Sequence, residues 1–194
     1  NVALKYFMIY HSDFKIRMAA NALKQGKLLA YPTEAVYGLG CDPLNESAVM
    51  SLLALKQRPI HKGLILIASD FAQLQPFIQT TPTMLDQIIP SWPGPITWVV
   101  PAQRWVPRYL KGDHQSLAVR ISAHPLVQQL CSTYGGAIVS TSANISHQAP
   151  ARSPLELRQR LPLEKIFILA GVTDQHSQPT AIYDARDGRC LRAS

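Results

Sequence analysis

The chain has 194 residues, 47% of them hydrophobic, with 19 Lys and Arg against 12 Asp and Glu, a formal charge of +7. Only 16% of residues are charged, against a usual ~25%, which excludes a disordered chain built on low hydrophobicity and high charge. The length suits one domain, and the cation excess points either to an anionic partner (nucleotide, nucleic acid or membrane surface) or to basicity kept for solubility.

In chain order, Ser12 is placed to cap a helix whose apolar positions Ile16, Ala19, Ala20 and Leu23 follow helical spacing, with Gly26 ending it. The apolar patch before it, Tyr6 to Tyr10, is too short for a secretory signal. Leu28 to Tyr31 reads as a strand stopped by Pro32. Asn45 can cap a helix carrying Val49, Leu52 and Leu53, which Pro59 keeps from passing Arg58. Leu64 to Ile67 has the continuous apolar character of a strand buried on both faces. Helices are expected from Asp70 to about Phe77 and from Pro82 to Ile89. Strands follow at Ile96 to Val100 and Leu117 to Ile121, then a helix from Pro125 to Tyr134 closed by Gly135 and Gly136. Ala137 to Val139 is a strand leading into a polar loop, and Pro154 to Leu161 a helix. Late strands are Ile166 to Leu169, Ala181 to Tyr183 and Cys190-Leu191. This alternation predicts an α/β fold, a twisted sheet of mixed strand direction flanked by helices in one domain over 1–194. Cys41, Cys131 and Cys190 are odd in number and widely spaced, which suits reduced thiols of a cytoplasmic protein rather than a disulfide frame. The longest aliphatic run, Leu64 to Ala68, is too short to span a bilayer, so no membrane partner is expected.

No Walker A loop, nucleophile elbow or H-E-x-x-H is present, and the six histidines do not pair at ligand spacing, so no protein-held metal is expected. Four polar clusters remain. Pro32-Thr33-Glu34 with Gly38 and Gly40 follows a buried strand, where ligands bind in α/β sheets, or else is a turn in which Thr33 and Glu34 cap a helix. Lys56, Arg58 and Lys62 lie close together with no acid between Glu46 and Asp70. They suit a polyphosphate, although a cation at a helix C-terminus also answers the dipole and accounts for Lys56. Ser140-Thr141-Ser142-Ala143-Asn144 offers hydroxyls and an amide to a polar substrate, or forms a turn feeding a helix cap. Arg120, inside an apolar strand, shares a face with Ala118 by alternation. Its guanidinium needs an anion, either an internal carboxylate such as Glu34 or a substrate carboxylate. Trp92-Pro93-Gly94-Pro95-Ile96-Thr97 reads as a rigid loop forming a shaped wall, with Thr97 as one hydroxyl.

These segments, in this order, resemble the YrdC/Sua5 family in its short bacterial form. The matching stretches are YPTEAVYGLGCDP (31–43), LKQRP (55–59), WPGPIT (92–97), SLAVRISAHP (116–125), VSTSANIS (139–146) and PTAIYDARDGRCLR (179–192). The resemblance implies a YrdC-like sheet around a basic concave cleft. It also implies a nucleotidyltransferase reaction, in which L-threonine, bicarbonate and ATP give threonylcarbamoyl-adenylate and pyrophosphate for t6A37 modification of tRNA. Mg²⁺ would arrive with ATP, and the product would pass to the TsaD/TsaB/TsaE transferase complex. Carried over by residue, Lys56 and Arg58 hold ATP phosphates as the catalytic pair. Ser142 and Asn144 line the nucleotide side, with Ser116 and Arg192 as further ATP-side candidates; Lys62 is added from its charge. Thr33, Arg120, Ser140 and Thr180 hold threonine, Arg120 on its carboxylate. The chain departs from the family's pattern at His147, where glycine is usual, and in the glycine-poor loop Thr173 to Gln178. Pro179-Thr180 stands where Pro-Ser is more usual and keeps a hydroxyl. Two other functions are compatible with the charge: a basic cleft gripping RNA or tRNA, as in ribosome assembly, and a carbamoyl-transfer relative.

Overall fold

The computed structural model describes residues 2–162, 164, 166–173 and 180–193. Helix α1 (Val2–Lys24) starts well before Ser12, which lies inside it instead of capping it. No Gly or Pro interrupts residues 2–24, so nothing stops propagation in the N-terminal direction. Its buried stripe is Ile16, Ala19 and Leu23, and Gly26, at φ 74°, turns the chain out of it.

Strand β1 (Leu28–Pro32) then meets a strand not foreseen in the sequence, β2 (Tyr37–Gly40). The two form an antiparallel hairpin with Leu29 opposite Gly40 and Tyr31 opposite Gly38. That register explains both glycines. A Cβ on Gly38 would stand 3.1 Å from Cζ of Tyr31, and one on Gly40 would stand 3.0 Å from its Cε1. At Gly38 the close approach is that of the Tyr31 ring; at Gly40 it is first that of the Val139 carbonyl oxygen of the neighbouring strand, 2.3 Å from where a Cβ would stand.

Helix α2 (Glu46–Lys56) is capped as expected by Asn45, which accepts from the Ala48 amide. Gln57 ends it in the left-handed region, φ 51°. Strand β3 (Ile65–Ala68) follows. The helix expected over residues 70–77 is two 3₁₀ turns, Phe71–Gln73 and Gln75–Phe77. Pro76 lacks the N–H that a continuous α-helix would need there. Next come α3 (Pro82–Ile88), β4 (Thr97–Pro101), the single turn α4 (Arg108–Lys111), and β5 (Ser116–Ile121). Helix α5 (Pro125–Tyr134) ends at Gly135, φ 90°. Strand β6 (Ile138–Ser142) runs through most of the expected polar loop. Helix α6 (Pro154–Arg160) and strands β7 (Ile166–Ile168), β8 (Ile182–Asp184) and β9 (Cys190–Arg192) complete the described elements. Among these residues no helix is long and apolar enough to cross a membrane.

The strands form one mixed sheet in the order β7-β1-β2-β6-β3-β5-β4-β8-β9. One face is covered along most of the sheet by a large core that includes Val49 and Leu52 of α2, Leu39, Leu66, Val119, Val139 and Trp98. The other face is covered over only part of its area. There α1 and α5 pack Leu23, Val127 and Leu130 onto Leu29, Tyr31, Ile67 and Ile138. Side chains alternate across a strand, so the next residues on this face are Ile65 after Ile67 and Ser140 after Ile138. No helix covers them, and a concave cleft remains. The loop from Trp92 to Thr97 does not wall it: Trp92 is buried in the large core, its indole donating to the Ile96 carbonyl, and Thr97 is fully buried.

Candidate functional site

A row of registered residues makes the cleft floor: Ser140 lies opposite Ile65, Ile65 beside Ala118, Ala118 opposite Val99, and Val99 beside Asp184. The cavity holds about 870 Å³. Among the described residues, eight Lys and Arg side chains line it, against one carboxylate, Asp184. Arg58, Lys62 and Lys111 lie on the α2–β3 side; Arg186, Arg189 and Arg192 come from the β8–β9 hairpin; Arg120 rises from the floor, and Arg152 also lines the cleft.

Most of the expected residues meet here. Thr33, Arg58, Lys62, Ser116, Arg120, Ser140, Ser142, Thr180 and Arg192 all line the cavity. Arg120 lies on the same face as Ala118, as alternation requires. Its Nη2 stands 3.5 Å from Glu34 Oε2, with both side chains buried, while its Nε is buried without a partner among the described residues. The internal carboxylate is therefore present, and guanidinium capacity remains beside it. Glu34 does not cap a helix. Its Oε1 accepts from the Ser122 hydroxyl at 2.7 Å and the Ala123 amide at 3.1 Å. Burial alone would raise its pKa, but Arg120 and these donors hold the carboxyl below its ordinary value. Thr33 closes the β1–β2 connection, its hydroxyl donating to the Val36 carbonyl at 2.7 Å.

Lys56 and Asn144 are not among the residues that line the cavity. The Lys56 ammonium is buried, donating to the Ser142 carbonyl, the Asn144 carbonyl at 2.8 Å and Asn144 Oδ1 at 3.3 Å. Burial, then the charge of Arg58, pushes its pKa down to about 8. The Lys56 carbonyl, near the open C-terminus of α2, accepts from the Ser146 amide at 2.9 Å and hydroxyl at 2.7 Å. Asn144 Nδ2 bonds the Ile145 and Gln148 carbonyls, and its Oδ1 accepts from the Ser142 hydroxyl at 2.6 Å. The basic segment and the hydroxyl-rich segment are thus tied into one wall. Arg58 is fixed differently: its Nε and Nη2 donate to the Gly63 carbonyl at 3.2 and 2.8 Å while the side chain still reaches the cavity.

His147, where the resemblance implies glycine, has φ 69°, so the chain keeps the left-handed turn with a side chain on it. Of the loop from Thr173 to Gln178, residues 174–178 lie outside the described residues. Arg192 Nη2 donates to the Thr180 carbonyl at 2.7 Å. Burial, then Arg120, lowers the Arg192 pKa. Asp184, Arg186, Arg189 and His114, not expected from the sequence, also line the cavity. The first three lie within the quoted segment 179–192, where alternating acids and bases look like a solvated turn. No cluster of His, Cys, Asp and Glu that could hold a metal occurs among the described residues.

The model of the Sua5/YciO/YrdC family, described as "Telomere recombination", matches residues 21–194. A threonylcarbamoyl-AMP synthase of Methylococcus capsulatus is 50% identical over 182 residues, 93% of this chain and 98% of that protein. One from Yersinia enterocolitica is 51% identical over 174 residues, 88% and 91% of the two chains. Among solved structures, P. abyssi Sua5 complexed with L-threonine matches with a TM-score of 0.83 at 32% identity, over 93% of this chain and 54% of that one. The chain spans about half the length of that protein. E. coli YciO shares the fold, with a TM-score of 0.77 at 23% identity over 89% of this chain and 84% of that one.

Proposed function

Because the chain belongs to the Sua5/YciO/YrdC family, we propose that it is a threonylcarbamoyl-AMP synthase. It converts L-threonine, bicarbonate or CO₂, and ATP into threonylcarbamoyl-adenylate and pyrophosphate, an adenylyl transfer serving t6A37 modification of tRNA. The observation that carries this reading is the cleft, which joins a small polar end at Thr33, Arg120 and Ser140 to a cationic stretch at Arg58, Lys62 and Arg192.

Threonine sits at the first end, its carboxylate on Arg120, with Thr33, Ser140 and Thr180 around it. MgATP takes the cationic stretch. Arg58 and Lys62 meet its phosphates, and Ser116, Ser142 and Arg192 line the nucleotide. Asp184, the lining's one carboxylate among the described residues, is already bonded to Arg186, which suits a Mg²⁺ held by phosphate oxygens and water. The threonine amine combines with CO₂ and loses a proton. The resulting carbamate oxygen attacks the α-phosphorus as the bond to pyrophosphate breaks. This in-line step asks the protein for alignment and charge neutralisation instead of a nucleophile. Lys56 acts behind the site by fixing the Ser142–Asn144 wall.

The test is pyrophosphate release in the presence of MgATP and bicarbonate. Release that rises with L-threonine, with the adenylate detected by mass spectrometry, is expected. Release independent of any amino acid overturns the reading. A separate RNA-binding face would appear as a salt-sensitive gel shift that survives Arg58→Ala.

A further inference from the structure

Asp184 is the one carboxylate among the described residues that line the cleft, and its side chain is 3% exposed. It stands in the floor row beside Val99. A buried carboxylate costs desolvation, and here it also repels the anion the cleft is to receive. Its bonding shows what offsets this. Oδ1 accepts from the Arg186 amide at 3.0 Å and from Arg186 Nε at 2.9 Å, and Oδ2 accepts from Nη2 at 2.6 Å. The fork of Arg186 is gripped along one edge, which leaves Nη1 with no protein partner among the described residues. The Arg186 side chain is otherwise 62% exposed, on the turn between β8 and β9, and it lines the cleft.

The turn's position says what such a group meets. Strand β8 runs parallel to β4, and Asp184 lies level with Val99, so Arg186 lies at the end of the floor where Pro101 pairs with Ser116. Arg58 and Lys62 reach the same cavity from beyond β3. An exposed arginine must give up rotamer freedom to bind an anion. One already held along two donors has lost that freedom before the ligand arrives, and its guanidinium keeps a fixed plane. A pair with little net charge adds direction to the cleft more than potential.

We propose that Arg186 is a further contact of the ATP triphosphate, with Asp184 as the positioning residue that aims it. This rests on the reading of the cleft as an ATP site. It also predicts a sign that simple electrostatics reverses. Asp184→Asn raises the net charge of the cleft by one, so attraction alone would tighten ATP binding; loss of aim weakens it.

The experiment is calorimetric titration of wild type, Asp184→Asn, Arg186→Ala and Arg186→Lys with MgATP, and separately with L-threonine. Arg186→Ala is expected to raise the ATP Kd about tenfold, the effect of one charge-assisted contact. Asp184→Asn is expected to raise it about fivefold in spite of the added charge, and Arg186→Lys, which keeps charge without the fork, at least threefold. Threonine affinity stays unchanged in all three. A wild type that binds no ATP overturns the nucleotide reading and this proposal with it. Wild-type binding with Arg186→Ala within twofold overturns this proposal alone. Tighter ATP binding by Asp184→Asn, or wild-type affinity in Arg186→Lys, overturns the aiming role. Arg186→Lys alters only an exposed side chain, so it answers even if Asp184→Asn fails to fold.

Discussion

The two sides of the cleft present positive charge to the same space by opposite means. On the α2–β6 side the cation nearest the wall is buried and already bonded: Lys56 is 3% exposed and donates to the Ser142 and Asn144 segment, and Arg58 beside it is fixed on the Gly63 carbonyl. On the β8–β9 side the arginines stand on a short hairpin whose last strand, Cys190–Arg192, is exposed along its length. The first arrangement carries a desolvation cost, visible in the depressed pKa of Lys56, and gains a wall that needs no reordering when substrate binds. The second, Asp184 apart, costs little to build and is screened by salt. Stability and activity are therefore coupled at Lys56 on the first side and separable on the second.

The largest effect expected is that of Lys56→Met. It removes the ammonium from three oxygens of the Ser142–Asn144 wall; the Ser142 carbonyl keeps the Asn144 amide and Asn144 Oδ1 keeps the Ser142 hydroxyl, so the Asn144 carbonyl is the one left without a donor among the described residues, at about 1–3 kcal/mol for a buried unsatisfied group, partly offset by the removed desolvation cost. A loss of about 1–2 kcal/mol in urea unfolding, together with near-complete loss of pyrophosphate release, is expected; an unchanged midpoint would break the coupling. The same residue has a pH signature. Its folded pKa of about 8 lies below the ordinary 10.5. Between these values the unfolded chain binds a proton that the folded chain does not, so the contribution of Lys56 to stability is flat below pH 8 and rises with pH above it. Burial raises the pKa of Cys41 and Cys131, which pulls the wild-type curve the other way. The signal is the difference: the deficit of Lys56→Met should widen from pH 7.5 to 9.5.

Arg58→Ala comes next. Its guanidinium reaches the cavity, and only the Gly63 carbonyl loses a donor. Activity should fall about 100-fold, with unfolding shifted by about 1 kcal/mol; equal losses in the two measurements would make Arg58 structural. On the opposite side, Arg189→Ala should leave the unfolding midpoint unchanged and raise the KM for ATP about threefold at low salt, an effect that fades at high salt. A stability loss there would erase the distinction between the two sides.

Local chemistry made much of this legible in the sequence. Asn45 named its own cap, Gly135 its helix end, and alternation in Leu117 to Ile121 put Arg120 on the open face. What stayed hidden depended on distant partners. Strand β2 could not be read from Tyr-Gly-Leu-Gly, because its glycines make sense only once Tyr31 and the Val139 backbone lie against them. Lys56 and Asn144 lie 88 residues apart in sequence, and only the fold shows that they bond each other. Asp184 and Arg186 are two residues apart, yet an acid beside a base looks neutral until the sheet register sets it in the floor.

The smallest effect tests whether the bonded side also tolerates strain to keep its shape. His147 holds φ 69° directly after Ser146, whose amide and hydroxyl both bond the Lys56 carbonyl, and just before Gln148, whose carbonyl accepts from Asn144. The turn is fixed from both ends, so the residue between them must accept the left-handed conformation, at about 1 kcal/mol for a side chain. Glycine removes that strain but widens the unfolded ensemble, by about 0.5–1 kcal/mol. His147→Gly should therefore gain only about 0.5 kcal/mol, roughly 1–2 °C in Tm for a chain of this size, with pyrophosphate release unchanged. His147→Val, whose branched side chain tolerates this region least, should lower Tm and, by loosening the Ser142–Asn144 wall, activity as well. Opposite signs for the two variants are what backbone strain requires; a loss in both would mean that the imidazole itself holds the turn.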